Sequence, residues 1–249
     1  QGSEDSHGRA LWALGTTVGF SQLDGQVGVA LELFERGLSA VGQFSSPRAW
    51  AFTLLGIDAY RKRYAGARTT RALRNRLAER LFAQYQGYAT PDWPWIEDRL
   101  TYANARIPHG LLLAGWDMGR DDITEAALEI LTWLCSVQTG PAGRFAPIGN
   151  VGWYLREAEP ARYDQQPLEA ECTVSACLAA NRITGDERWI GEATRAFEWF
   201  LGRNDLGEPV YDHATGGCHD GIQAEGINQN EGAESTLSWL LSLLAMMEQ

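Results

Sequence analysis

Apolar residues recur along this chain at intervals of three and four, and the strict alternation of a half-buried strand is nearly absent. The pattern predicts nine helices, at 5–18, 25–42, 47–64, 68–88, 101–116, 121–137, 168–183, 187–203 and 231–247. Two kinds alternate. The second, fourth, sixth and eighth are amphipathic. Between Arg68 and Tyr88, Arg and Glu alternate with Leu73, Leu77, Leu81 and Phe82, and between Asp186 and Arg203 charged residues stand opposite Trp189, Ala193, Phe197 and Phe200. One stripe of such a helix faces a core while the other face meets water. The odd-numbered helices are apolar nearly all round, as in Ala10-Leu-Trp-Ala-Leu14, Leu111-Leu-Leu-Ala-Gly115 and Leu237-Ser-Trp-Leu-Leu-Ser-Leu-Leu244. Burial on every side is the expectation for these.

Each odd-numbered helix nonetheless opens on a polar cluster. The clusters are Glu4-Asp-Ser-His-Gly-Arg9, Ser45-Ser-Pro-Arg48, Asp98 to Arg106, Asp164-Gln-Gln-Pro-Leu-Glu169 and Asn228-Gln-Asn-Glu-Gly-Ala-Glu-Ser235. Capping accounts for part of this, since Ser6, Ser46 and Asn230 are good N-cap types and Pro47 suits a first turn. Turns from an inner helix to the next outer one are short, whereas the return loops 89–100, 138–167 and 204–230 are long and rich in Gly, Pro and aromatics. Long structured loops usually carry function. Inner starts near 5, 47, 101, 168 and 231 describe a repeat of helical hairpins. The predicted fold is all-α, an (α/α) toroid forming a single domain over 1–249. Nine helices do not complete six hairpins, and the first polar cluster is already in place at residue 5. The expectation is an (α/α)6 toroid with an N-terminal hairpin missing from a truncated or processed form.

Composition adds exclusions. The 249 residues are 45% apolar, enough for one sizeable domain, and the net charge is −11 with no basic stripe. Such a surface repels phosphate backbones, so no nucleic-acid partner is expected. No apolar run reaches the roughly 18 residues of a bilayer span, and no basic segment followed by an apolar stretch marks a signal peptide. Cys135, Cys172, Cys177 and Cys218 read as reduced thiols, with the cytoplasm as default compartment, while their even number is compatible with export. Ten tryptophans are many for this length. Trp93, Trp95 and Trp153, with Tyr154, Tyr163 and Tyr211, fall in loop segments where exposed rings suit stacking on sugars.

The Thr184-Gly-Asp-Glu-Arg-Trp189 turn after an inner helix resembles the six-hairpin glycosidase superfamily. Four further stretches are similar to a group of bacterial proteins labelled glycosyltransferase-associated. They are Glu4-Asp-Ser-His-Gly-Arg-Ala-Leu-Trp-Ala-Leu-Gly15, Trp93-Pro-Trp-Ile-Glu-Asp-Arg-Leu-Thr-Tyr-Ala-Asn-Ala-Arg106, Asp164-Gln-Gln-Pro-Leu-Glu-Ala170 and Asn228 to Ser235. The resemblance covers nearly the whole chain. It implies a carbohydrate-processing enzyme, with a glycosyltransferase as a possible partner, and enzymes on this scaffold more often invert. The chain has no Gly-rich strand-to-helix phosphate loop, so transfer from a nucleotide sugar is disfavoured.

On a toroid the polar starts would converge on one rim. Cleaving a glycosidic bond takes one carboxylic acid to protonate the leaving oxygen and a second carboxylate, about 6.5–9.5 Å away for inversion or about 5–5.5 Å for retention. Asp98 is the first candidate, because it ends a loop carrying Trp93 and Trp95, and Asp5 is the second. Both could instead serve helix N-termini. Asp164 and Glu169 flank Gln165 and Gln166, amides that suit sugar hydroxyls. His7, Arg9, Asn104, Arg106, His219, Asp220, Asn228, Asn230 and Glu234 complete the candidate substrate-binding set, with Glu234 expected to pair with Arg9 or Arg106. His109 reads as a core histidine. His213, Cys218, His219 and Asp220 match no strong zinc spacing, so neither metal nor cofactor is expected. The leading reading is a glycoside hydrolase acting on an oligosaccharide or polysaccharide. An epimerase or isomerase using His7 or His219, and a non-catalytic glycan-binding module, are the alternatives.

Overall fold

The computed structural model describes residues 2–249. Among these, nine α-helices supply nearly all the regular structure: α1 (Glu4–Phe20), α2 (Asp24–Leu38), α3 (Pro47–Arg63), α4 (Arg68–Tyr88), α5 (Arg106–Met118), α6 (Asp121–Val137), α7 (Pro167–Thr184), α8 (Arg188–Glu198) and α9 (Ala233–Met247). Two short antiparallel pairs accompany them, β1 (Arg99–Leu100) with β2 (Tyr154–Leu155) and β3 (Gly221–Gln223) with β4 (Gly226–Asn228). The class is all-α, as the periodicity predicts. Two compact units make up the chain. One runs up to Gly87 and resumes over Arg106–Leu128, and the other takes Tyr88–Ala105 and Glu129–Gln249.

In the first unit α1 packs on α2 and α3, and α3 packs on α5. The cap of α1 is Ser3 rather than Ser6, its side chain accepting from the Ser6 amide at 3.1 Å. Ser46 caps α3 as predicted, accepting from the Ala49 amide, and Pro47 occupies the first turn. Every residue of α3 from Pro47 to Ile57 is buried. What lets α1 approach so closely is the absence of side chains. A Cβ on Gly15 would lie 2.1 Å from the Gly56 carbonyl oxygen, and one on Gly56 would lie 2.5 Å from that of Leu11.

In the second unit α7 packs on α8 and α9, and α7 is buried on all sides from Pro167 to Val174. All-round burial therefore holds for α3, for the first turns of α5 and for α7. It does not hold for α1 and α9. Helix α1 buries Gly8, Leu11, Gly15 and Val18, and Phe20 is exposed. Helix α9 buries Ser235, Ser238, Trp239 and Ser242 but exposes Leu237, Leu240, Leu241 and Leu244. Small residues win the buried faces because they allow close helix contact. The inward serines satisfy themselves, the Ser238 and Ser242 hydroxyls each donating to the carbonyl four residues back at 2.8 Å.

The fifth helix starts at Arg106, not near 101. Over Thr101–Ala105 the Asn104 amide group takes the place of the helical ladder, donating to the Thr101 carbonyl at 2.8 Å and accepting from the Thr101 amide at 3.0 Å. Ala103 is held at φ +49°, a left-handed conformation that a non-glycine residue adopts only under constraint.

Candidate functional site

The polar helix starts meet pairwise within each unit. In the first, the Glu4 carboxylate accepts from the backbone amides of Ser45 at 2.8 Å and Ser46 at 2.7 Å, tying the start of α1 to that of α3. The Ser46 amide is the main reason that its carboxyl sits below the usual range. Asp5 accepts from the Arg9 Nε at 2.8 Å, and the Arg9 guanidinium lies 4.7 Å over the Phe52 ring. Phe52 stacks on Trp12, and the Arg106 guanidinium covers Trp12 at 4.3 Å. Two stacked rings thus lie between two guanidiniums across α1, α3 and α5. The His7 Nε2 is 2.9 Å from the Gly37 carbonyl, which fixes it as the protonated nitrogen and the donor. His109 is buried, as its core reading requires, with Nδ1 3.4 Å from the Arg106 Nη1.

A cleft of about 840 Å³ in this unit lies along α2, α3 and α4, lined in part by Glu35, Tyr60 and Arg76. The Tyr60 hydroxyl donates to Glu35 at 3.3 Å, and burial, together with the Glu35 charge, pushes it up to about 12. A protonated phenol and one carboxylate do not make a two-carboxylate site.

The second unit holds a more telling arrangement. Gln165 and Ile222 exchange two backbone hydrogen bonds, each 2.9 Å, so the segment leading into α7 joins β3. Only glycine fits next to that bridge. Gly221 has φ +143°, and a Cβ there would lie 2.0 Å from the Gln165 carbonyl oxygen. The bridge brings Asp164 under the influence of Asp220, and the two carboxyls are driven apart. Burial pushes Asp164 up, and the Asp220 charge adds to it. Burial also opposes the charge on Asp220, but donors outweigh it. The Ser235 hydroxyl at 2.6 Å, the Asn230 amide group and the Gly232 amide at 2.8 Å bring Asp220 below the usual range. Beside Asp164 is an open cleft of about 390 Å³, lined by Val151, Arg162, Tyr163, Gln223, Ala224 and Glu225.

The other predicted residues of this unit separate into engaged and exposed. Glu169 is buried and accepts from the Ala103 amide, the Asn104 amide at 3.3 Å and the Asn104 Nδ2 at 3.0 Å. Gln165 is fully buried, donating to the Arg162 carbonyl and Asp205 and accepting from the Trp199 indole. Both hold the loops together. Trp93 and Trp95 are also buried, with indole N–H groups donating to the Glu97 and Arg99 carbonyls, Trp93 edge-on to Trp133 and Tyr154 and Trp95 tilted against Trp133. The exposed platform expected there is corrected: the rings pack under the loop because each N–H finds a local carbonyl. Asp98 is exposed, and its carbonyl accepts from the Arg156 amide. Gln166 precedes α7 without a side-chain cap bond, and Asn228 accepts from the Asn230 amide. Glu234 is exposed in the first turn of α9.

Of the predicted metal-ligand types, Asp220 is engaged as described and His213 is exposed. Cys218 is a buried thiol pushed up to about 12, first by burial and then by Asp220 and Glu231. His219 instead meets Asp212 and Glu231, a grouping that residue spacing did not disclose. Its signal was the Gly216-Gly217 turn, which folds Tyr211 back against Cys218. Among the described residues no helix is long and apolar enough to cross a membrane. No protein-family model matches the chain, and no curated protein matches it.

Proposed function

We propose that this protein is a carbohydrate-processing enzyme, a glycoside hydrolase of (α/α)-toroid architecture, in which Asp164 is the general acid. The observation that carries this reading is the opposed displacement of Asp164 and Asp220. A carboxyl that must arrive protonated needs burial and a nearby negative charge, and Asp164 has both. Glycosidic cleavage also takes a second carboxylate, as base or nucleophile. Asp98, exposed at the end of the Trp93–Glu97 loop, is assigned that role. The cleft beside Asp164 offers Tyr163 as an apolar face and Arg162 and Gln223 as hydroxyl partners.

Reducing-end release from an oligosaccharide panel tests the assignment. Asp164→Asn and Asp98→Asn are each expected to lower kcat by about 10²–10⁴-fold while ligand binding survives. Asp220→Asn removes the charge that adds to burial in raising Asp164, so the basic limb of the pH–rate profile moves part of the way to lower pH. Full turnover in Asp164→Asn, or binding without bond cleavage in the unaltered protein, overturns the proposal.

A further inference from the structure

We infer that Asp212, His219 and Glu231 form a binding site for one divalent transition-metal ion, of the manganese or zinc class, independent of the hydrolase reading. The three residues come from separate segments. Asp212 opens the turn that Gly216 and Gly217 close, His219 leaves that turn just before β3, and Glu231 lies between β4 and α9. One ligand atom from each lies within 4.8 Å of the others, and the His219 Nδ1 is 3.7 Å from the Glu231 Oε1. Ligands about 2.0–2.2 Å from a shared ion stand roughly 3–3.5 Å apart, so small side-chain movements close the set.

The supports are rigid. The Asp212 amide donates to the Gly217 carbonyl at 2.9 Å, and the Gly216 amide donates to the Asp212 carbonyl at 2.8 Å. The Ala214 amide holds the Asp212 carboxylate at 2.7 Å, and the Thr215 hydroxyl holds Glu231 at 2.9 Å. Glu231 fits over Gly217, where a Cβ would come 2.3 Å from its Oε2. Asp220, clamped by its three donors, fixes the Asn230–Gly232 backbone beside it. These are the outer contacts that orient ligating carboxylates.

What points to an ion is His219. Its Nδ1 is shielded from solvent and makes no hydrogen bond among the described residues, although it faces a carboxylate. Buried polar atoms are rarely left so. A cation held between the ring nitrogen and the two carboxylates would give all three a common partner. One imidazole and two carboxylates suit manganese, iron or zinc and leave coordination positions open for water or ligand oxygens.

The test uses the full chain after chelation, titrated with MnCl2 or ZnCl2 by calorimetry and thermal unfolding. One equivalent should bind and raise Tm as mass action requires. Affinity should fall by about 100-fold or more in His219→Ala and in the near-isosteric Glu231→Gln, and stay unchanged in His213→Ala, the exposed neighbour. Circular dichroism checks the fold of each variant, and Asp212→Asn replaces any that unfolds. Failure to bind either ion overturns the inference. So does equal binding by His219→Ala, or loss in His213→Ala, which would mark adventitious surface binding.

Discussion

Replacing Glu169 by alanine removes the acceptor on which the Thr101–Ala105 loop depends. Its carboxylate receives two backbone amides and one side-chain amide, all in a buried setting. Each stranded buried donor costs about 1–3 kcal/mol. Ala103, held left-handed by this contact, adds about 1–2 kcal/mol of strain that would then relax. Allowing for water entry and that relaxation, the net loss is about 3–5 kcal/mol, in line with breaking a buried charged network. At roughly 2–4 °C per kcal/mol for a chain of this size, Tm falls by about 6–20 °C. Glu169→Gln keeps one acceptor oxygen but turns its amide toward donors, and should cost about half as much. Urea unfolding checks both, with the midpoint falling at constant slope. An unfolding free energy within about 0.5 kcal/mol of the unaltered protein's would refute the anchoring role, above all if turnover vanished with it.

Gly56→Ala drives a Cβ into the backbone of α1 and should cost at least about 3 kcal/mol in the same assay, the upper end for overpacking. Asp220, with its folded pKa lowered, contributes stability above its unfolded pKa of 3.8 that is lost as pH falls through the folded value. Asp220→Asn should therefore flatten the acid limb of a stability–pH curve, and an unchanged limb would refute the donor cage. All four cysteines are buried, with Cys177 raised well above 9 by the Cys135 contact and burial and Cys218 pushed up to about 12. Native protein should accordingly resist a thiol reagent that labels four groups in guanidinium, and rapid native labelling would contradict the burial.

The helices were legible because a period of 3.6 survives in the sequence whatever packs against it, as in the Leu73, Leu77 and Leu81 stripe of α4. Which face of α9 goes inward was not. The leucines on every side predicted all-round burial, whereas close helix contact turned Ser235, Ser238 and Ser242 inward and left Leu237, Leu240, Leu241 and Leu244 exposed. The displaced start of α5 turned on Asn104 competing with the backbone, a local contest that periodicity does not record. At the candidate site, the residue types around Asp164 and Glu169 were evident. Their different duties were not, because both follow from long-range partners: Ala103 and Asn104 for Glu169, Asp220 for Asp164. Asp212 and Glu231 were hidden for the same reason, being 19 residues apart and joined only through a turn and a hairpin.

Where Gly15 and Gly56 meet, no side chain cushions the two backbones. Rotating either rod about its axis, or sliding one along the other by even half a turn, would drive Cβ-bearing neighbours into main-chain atoms. The α1–α3 seam thus behaves as a locked pin. Any breathing of the first unit must be taken up by its peripheral helices and loops, and amides along this seam should exchange with solvent only when the whole unit opens.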